Sequence, residues 1–195
     1  MPSKKPDIET FTPASRQDWR KWLTKNHRSK QSIWLIYHKK TSTKPTITYS
    51  DAVDEALCFG WIDSTTKSID SETYIQYFCK RKPTSVWSKV NKAKVQKLVD
   101  QGLMTAAGME SIEIAKQNGT WSILDDVEEV KVPPDLAKAF RLHKGSKQYF
   151  ESLSRSTKKI LLQWIVLAKR KETRQKRIDE IAELAGIQLK PKQFR

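Results

Sequence analysis

The sequence predicts an α+β protein in which a small mixed domain, residues 1–130, precedes an all-helical basic region, residues 131–195. We expect the mixed domain to hold a short antiparallel sheet and helices, because every segment rich in β-forming residues lies in the first half of the chain. Beyond Pro133 and Pro134 the apolar residues recur at helical spacing. From residue 138 onward 16 Lys and Arg residues stand against five Asp and Glu, so most of the positive charge lies in the helical region.

The first three elements follow from local patterns. Residues 15–27 carry Trp and Leu side chains at helical spacing after a capping serine, which predicts a helix. Residues 32–38 are rich in β-formers and predict a buried strand, followed by a polar turn over 39–45. A capped helix begins at residue 48 or 50 and ends at Gly60, where glycine suits a left-handed C-terminal turn.

The rest of the mixed domain combines extended chain with two helices. Residues 61–64 and 71–80 predict extended segments that can pair as a hairpin. Residues 85–101 and 105–118 predict helices, each followed directly by a glycine. The sheet is therefore expected to be small.

A charged segment marks the predicted domain boundary. Residues 125–134 combine an acidic run with two prolines, which is typical of a linker, so we place the boundary near residue 131. Helical patterns then cover residues 134–141, 146–153 and 154–169, and a fourth ends at Gly186. The basic tail is expected to fray.

Composition and charge limit the classes of function. The chain has 195 residues, 37% of them hydrophobic, and a formal net charge of +15, which favours anionic partners. Its two cysteines do not form a disulfide framework, and the sequence contains no metal-ligand cluster and no cofactor motif, so we expect neither metal nor cofactor. It has no apolar run long enough to span a membrane and no apolar stretch of a secretory signal near its start, so we expect a cytoplasmic protein.

A basic block over residues 80–97 contains seven Lys and Arg and no acid. Its cations precede a predicted helix whose first turn offers unpaired backbone N–H groups and serine hydroxyls, an arrangement that can hold an anion. The residues assigned to this anion site are Arg81, Lys82, Ser85, Trp87, Ser88 and Lys89. The alternative is an ordinary capped helix with a solvated basic face.

Gly60 allows a sharp turn from helix to strand, which brings Trp61 and Asp63 to one junction. Trp61 can then serve as a stacking wall for a ligand and Asp63 as an orienting carboxylate. The alternatives are that Trp61 fills the core, that Asp63 caps a turn, or that Asp63 pairs with Arg81 or Lys82.

A second basic patch lies in the helical region. It consists of Lys169, Arg170, Lys171, Arg174 and Arg177. Such a patch can bind nucleic acid, dock an acidic partner protein, or remain a solvated face between two helices.

The residues favour a non-enzymatic anion-binding protein whose partner is a phosphorylated ligand or nucleic acid. An enzyme is the alternative, with an unrecognised pocket around Trp61 and Asp63. A Cys58, His38 and Asp63 trio could assemble only through the fold, and such trios occur by chance in a chain of this length. Cys58 lies among apolar residues and is expected to be an inert core thiol.

Several stretches resemble a known family. Residues 49–64 and 81–92 carry the most specific motifs, and residues 102–108 and 168–178 extend the likeness, which runs from about residue 11 to residue 184. On these stretches the chain resembles the YdeI/OmpD-associated, or bacteriocin-protection, family. The resemblance implies a soluble bacterial protein linked to envelope stress, with no catalytic residue to carry over. Since like charges repel, a protein this basic should not sequester cationic peptides directly.

Overall fold

The computed structural model describes residues 9–39 and 42–195. The first residues of the chain and part of the predicted polar turn, Lys40 and Thr41, lie outside the described residues. The chain folds as two compact units, of which the first ends at Trp121 and the second begins at Ser122. The predicted boundary near residue 131 lies within the second unit.

The first unit combines a sheet with helices, which confirms the α+β class. Its elements are β1 (Thr10–Phe11), α1 (Arg16–Asn26), β2 (Ser32–His38), α2 (Tyr49–Cys58), β3 (Trp61–Ser68), β4 (Thr73–Lys80), α3 (Lys89–Asp100) and α4 (Ala106–Gln117). The described strands form a sheet in the order β1-β2-β4-β3. The predicted hairpin is β3–β4, and β4 pairs with β2 in antiparallel orientation. The short strand β1, which was not predicted, joins β2 in parallel.

Side-chain caps fix the starts of the helices in this unit. Ser15, Thr48, Ser88 and Thr105 each accept a hydrogen bond from the backbone N–H three residues on. The predicted start of α3 at residue 85 is therefore wrong, because the cap that begins the helix is Ser88. The preceding chain instead makes a turn in which the N–H of Ser85 donates to the carbonyl of Lys82 at 2.9 Å.

The core of the first unit lies between one face of the sheet and helices α1 and α2. The side chains of β2 alternate between buried and half-buried, as expected for a strand with one face in a core. Trp19 of α1 packs edge-on against Phe78 of β4, with ring centroids 5.6 Å apart. Its Nε1 donates to the carbonyl of Ala52 in α2 at 3.0 Å, so one tryptophan joins both helices to the sheet.

Helix α4 begins directly against the end of α2. The backbone N–H and the hydroxyl of Thr105 both donate to the carbonyl of Cys58, at 3.1 and 2.6 Å. A Cβ at Gly108 would lie 2.3 Å from the same carbonyl oxygen, so only glycine fits this crossing. These hydrogen bonds place the first turn of α4 beside the α2–β3 turn.

The described residues of the second unit form only helices, as the sequence predicts. Its elements are α5 (Asp125–Glu128), α6 (Pro134–Phe140), α7 (Ser146–Ser152), α8 (Arg155–Val166), α9 (Lys171–Gly186) and a 3₁₀ helix (Lys192–Phe194). Two expectations are wrong. The acidic run predicted as a linker forms α5, whose Val127 is buried. The tail predicted to fray packs Phe194 against Trp164, with ring centroids 5.4 Å apart.

None of the helices within residues 9–39 and 42–195 combines the length and the apolarity needed to cross a membrane.

Candidate functional site

A cleft of about 360 Å³ lies in the first unit. Its walls come from the end of α1, the α2–β3 turn at Gly60, the end of β4 and the first turns of α4. Among the described residues that line it, four side chains are cationic and one is a carboxylate, namely Arg28, Lys80, Arg81, Lys82 and Glu110. We call this feature the Arg81 cleft. Its lining is strongly basic.

Gly60 shapes the floor of the Arg81 cleft. Its φ of +71° lies in the left-handed region, as the sequence predicts for the end of α2, and a Cβ there would lie 2.9 Å from the carbonyl oxygen of Ala107. The carbonyl of Gly60 accepts a hydrogen bond from the N–H of Arg81 at 2.9 Å. This turn therefore joins the end of β4 to the start of α4, although the two are separate in sequence.

The guanidinium of Arg81 lies over the buried ring of Trp87, with Cζ 3.6 Å from the ring centroid. Its Nη2 donates to the carbonyl of Val86 at 2.6 Å. Its Nε and Nη1 are shielded from solvent and have no hydrogen-bond partner among the residues described. Burial lowers the pKa of Arg81 to about 10, an effect that the charge of Asp63 opposes. The group is thus a partly buried cation at neutral pH.

Asp63 does not neutralise this cation by an ion pair. Its Oδ2 accepts a hydrogen bond from the hydroxyl of Tyr49 at 2.7 Å and one from Nε2 of Gln76 at 3.2 Å. In the part of the chain that the structure describes, no carboxylate forms an ion pair with Arg81 or Lys82. The ion pair of Asp63 with Arg81 or Lys82, which the sequence left open, is therefore absent among the described residues.

The first turn of α4 adds backbone dipoles to the cleft. Ala106 and Ala107, the first residues of this helix, line the cleft. Backbone N–H groups at a helix start carry partial positive charge and can bind an anion. The N-terminal helix end that the sequence assigned to anion binding, that of α3, is not part of the lining.

His27, at the end of α1, contributes an imidazole to the lining of the cleft. Its Nδ1 lies 2.8 Å from the carbonyl oxygen of Leu23, and since a carbonyl only accepts, Nδ1 carries the proton. The hydroxyl of Ser111, also in the lining, donates to the carbonyl of Gly108 at 2.8 Å. Among the described hydrogen bonds, these two side chains do not form a nucleophile and base pair.

The trio of Cys58, His38 and Asp63 does not assemble. His38 pairs with Thr73 at one end of β4, whereas Asp63 pairs with Phe78 toward the other end. Burial raises the pKa of the Cys58 thiol to about 11, which disfavours the thiolate that a nucleophile requires. Cys58 is a core thiol, as the sequence indicates.

Only part of the predicted anion site lines the cleft. Arg81 and Lys82 do so, and Trp87 lies beneath Arg81. Ser88 instead caps α3, and Lys89 lines a separate shallow groove on that helix. Ser85 belongs to the intervening turn.

Trp61 lies at the lining of the Arg81 cleft, as the sequence suggests, and its side chain is fully buried. Its ring packs edge-on against Trp22, with centroids 5.8 Å apart, and its Nε1 donates to the carbonyl of His27 at 3.4 Å. A side chain held this way is part of the core, which agrees with the alternative that Trp61 fills the core.

The basic patch of the second unit is partly structural. Arg174 makes a two-point ion pair with Asp135, at 2.8 and 3.1 Å. Arg177 lies over the ring of Trp164 and donates to its carbonyl at 2.5 Å. Exposed side chains remain at the start of α9, namely Lys169, Arg170 and Lys171.

Sequence reasoning missed the cleft residues that other elements contribute, namely His27, Arg28 and Glu110. Lys80 stands beside Arg81 in the same basic block, so the sequence could have placed it at the same site. Gly108 stands three residues after the capping Thr105. A glycine so early in a helix often marks a place where another segment packs closely against the helix, so it also pointed to the start of α4.

Comparisons with known proteins give family matches for both units. Residues 11–111 match the family described as Domain of unknown function (DUF8412), and residues 129–186 match Bacteriocin-protection, YdeI or OmpD-Associated. No curated protein and no solved structure matches the chain. The YdeI/OmpD-associated resemblance is thus confirmed for the second unit. The motifs at 49–64 and 81–92 lie in the region that matches the DUF8412 family instead. The chain belongs to the DUF8412 family and carries a YdeI/OmpD-associated domain in its helical unit.

Proposed function

We propose that the Arg81 cleft binds a small phosphorylated ligand, and that binding rather than catalysis is the function of this site. The observation that carries the proposal is the Arg81 guanidinium, a half-buried cation with two shielded nitrogens and no carboxylate partner among the described residues. A bound anion supplies the missing negative charge.

The free energy of burying a cation supports this proposal. Removing a charge from water costs several kcal/mol unless a partner charge or hydrogen bonds offset the cost. The ring of Trp87 and the carbonyl of Val86 offset part of it for Arg81. A chain that keeps an arginine in such surroundings gains by pairing it with an anion.

The charge balance favours phosphate over a single carboxylate. Three more cations line the cleft, against Glu110. A phosphate monoester carries nearly two negative charges and several acceptor oxygens, so it can engage these cations and the N–H groups that begin α4 together.

The size of the cleft favours a small ligand. Its volume of about 360 Å³ is at the lower end of the range for small-molecule sites. The cleft is too small to receive a duplex, so nucleic acid is not the occupant that we assign to it.

We also propose that the protein works in a reducing compartment such as the cytoplasm. Cys58 and Cys79 are both free thiols, which supports this location. Because the chain carries a net charge of +15, a protective role of the kind that the family name describes would act through the bound ligand rather than through capture of cationic peptides.

The test uses inorganic phosphate and pyrophosphate as probes, with calorimetric titration and thermal shift of the full chain at low ionic strength. We expect both anions to raise the Tm of the wild type, pyrophosphate more strongly. Lys82→Gln removes an exposed cation of the cleft and should weaken pyrophosphate binding about three- to tenfold.

The matched control is Lys89→Gln, which removes an equally exposed lysine of the same basic block outside the cleft. It should bind pyrophosphate like the wild type. Equal weakening by both variants would indicate diffuse charge attraction and would overturn the site, as would the absence of binding by the wild type.

A further inference from the structure

One face of the sheet is not part of the core of the first unit. Ile33, Leu35 and Tyr37 of β2 are buried, so Trp34 and Ile36 point to the opposite side, where they are only half-buried. We call this side the open sheet face. It also carries Ile75 and Tyr77 of β4, which are half-buried as well.

Two aromatic rings lie at the centre of the open sheet face. Trp34 and Tyr77 are direct partners across β2 and β4, and their ring centroids are 5.0 Å apart. In the described part of the chain, these two rings pack against each other and not against a ring from a helix. Partly exposed aromatic area at the middle of a sheet is a surface on which other planar groups can stack.

The charge on the open sheet face is positive. The Nζ of Lys67, on β3, lies 5.0 Å from the centroid of the Trp34 ring. The residues that β2 and β4 direct to this face include no carboxylate, and both strands lie wholly within the described residues. An anion with flat, stackable groups complements such a surface.

The two ends of the open sheet face differ in charge. At one end Lys30 stands two residues before β2 and pairs with Glu9 at 2.9 Å. Lys80, the last residue of β4, alternates with Gln76 and Phe78 and so belongs to the other side of the sheet, where it lines the Arg81 cleft. The opposite end, at the β3–β4 turn, carries Asp70 and Glu72. A polyanion is therefore disfavoured at the β3–β4 turn and favoured near Trp34 and Lys67.

From these observations we propose that the open sheet face binds single-stranded nucleic acid, with bases stacked on Trp34 and Tyr77 and the backbone near Lys67. A single strand exposes the faces of its bases, whereas a duplex hides them within the base stack. The net charge of +15 disfavours a second copy of the chain as the occupant, because two such molecules repel each other. This site is separate from the Arg81 cleft and does not depend on its function.

The test is fluorescence anisotropy of a labelled uridine oligomer of about ten nucleotides, a length within the usual range for single-strand sites. A thymidine oligomer and a duplex of equal length serve as comparisons, with the full chain at about 50 and 200 mM salt. We expect the single strands to bind more tightly than the duplex and to lose affinity as salt rises. Trp34→Leu and Tyr77→Leu should each weaken binding about tenfold, since base stacking on an aromatic ring contributes about 1–3 kcal/mol and tenfold corresponds to about 1.4 kcal/mol.

The control Ile36→Val changes an apolar residue of the same face without removing a ring and should bind within about twofold of the wild type. Lys67→Gln should lower the slope of log affinity against log salt by about one unit. A Tm measurement on each variant shows that it is folded.

Three results would overturn the proposal. These are no binding of single strands by the wild type at low salt, wild-type affinity in both leucine variants, or preference for the duplex. Sedimentation that reveals a dimer dissociated by Trp34→Leu would instead assign the open sheet face to a second copy of the chain.

Discussion

Arg81 and Trp87 form a stacked pair in which the guanidinium carbon lies 3.6 Å from the centroid of the indole ring. Trp87 in turn packs against Trp121, with ring centroids 5.0 Å apart, and its backbone N–H donates to the carbonyl of Thr120 at 3.3 Å. The cation of the cleft is therefore held by aromatic packing rather than by a carboxylate. A cation held in place before a ligand arrives loses less conformational entropy on binding, which favours affinity.

Replacing Arg81 with an uncharged residue should raise stability and at the same time remove pyrophosphate binding. Arg81→Met keeps much of the side-chain length and removes the charge, so we expect the free energy of unfolding of the ligand-free protein to rise by about 1 kcal/mol. The Tm increase caused by pyrophosphate should be lost at the same time. Thermal denaturation with and without pyrophosphate measures both effects.

The control for this substitution is Arg28→Met, which removes an exposed cation of the same cleft. It should weaken pyrophosphate binding without raising stability. A fall in ligand-free stability in Arg81→Met would contradict the view that the Arg81 charge is uncompensated, and would assign the residue a structural role.

Glu55 joins α1 to α2 and should be a major contributor to stability. Its carboxylate is 2% exposed and accepts hydrogen bonds from Arg16 at 2.6 Å and Arg20 at 2.7 Å. Glu55→Gln removes the charge that both guanidinium groups face, so the free energy of unfolding should fall by about 3 kcal/mol. Chemical denaturation followed by circular dichroism measures the change.

The matched amide substitution Asp126→Asn affects an ion pair with Lys131 in which both side chains are exposed. It should change stability by no more than about 0.5 kcal/mol. If the two substitutions lower the free energy of unfolding equally, the burial of Glu55 does not determine its contribution to stability.

Much of the fold could be predicted because it depends on local patterns. The serines and threonines that cap α1, α2 and α4 precede apolar residues at helical spacing, a run of β-forming residues identifies β2, and alternation identifies β4. The strand β1 has two residues, too few for any pattern to show. The start of α3 was misplaced because Ser85 and Ser88 are equally good caps in sequence, and only the turn at Ser85 distinguishes them.

The candidate site was less predictable because its parts come from distant segments. Arg81 and Lys82 stand in a visible basic block, but His27 and Glu110 reach the cleft only through the packing of α1 and α4. The shielding of the Arg81 side chain could not be predicted from the sequence, because Arg81 and the exposed Lys82 are neighbouring cations of the same basic block. The full burial of Trp61 likewise depends on the Trp22 ring, which another element supplies.

The crossing of α2 and α4 should be highly sensitive to one methyl group. Gly108→Ala would place a Cβ 2.3 Å from the carbonyl oxygen of Cys58, so α4 must shift away from α2. We expect the free energy of unfolding to fall by about 3 kcal/mol or more, as for overpacking of a tight core. Pyrophosphate binding should weaken too, because the start of α4 forms a wall of the Arg81 cleft.

Gly119→Ala is the comparison for this prediction, since a Cβ at Gly119 meets no atom within 4 Å and only its φ of +79° is unfavourable. That substitution should cost about 1 kcal/mol. A similar loss in the free energy of unfolding for both substitutions would show that α2 and α4 can move apart without strain.

Asp135 should make the stability of the helical unit depend on pH. Burial would raise the pKa of this carboxyl, but hydrogen bonds and charge from Arg174 outweigh it, and the pKa lies below its ordinary value of about 3.9. A carboxyl with a lowered folded-state pKa contributes stability above its unfolded pKa and loses it as pH falls through the folded value. Asp135→Asn should therefore reduce the free energy of unfolding at pH 7 by about 1 kcal/mol, a modest figure because both partners are partly exposed to solvent.

The difference between wild type and Asp135→Asn should shrink as the pH falls below about 4, where the wild-type carboxyl becomes neutral as well. Thermal denaturation between about pH 2 and pH 7, a range that covers the titration of carboxyl groups, follows this change. Glu151→Gln is the control, since Glu151 and Lys147 are exposed and 3.6 Å apart, and it should show no such dependence. No difference between the two proteins at any pH would mean that Arg174 stabilises the unit through its hydrogen bond to the carbonyl of Ile165 in α8, and a constant difference would mean that the charge of Asp135 is not what the substitution removes.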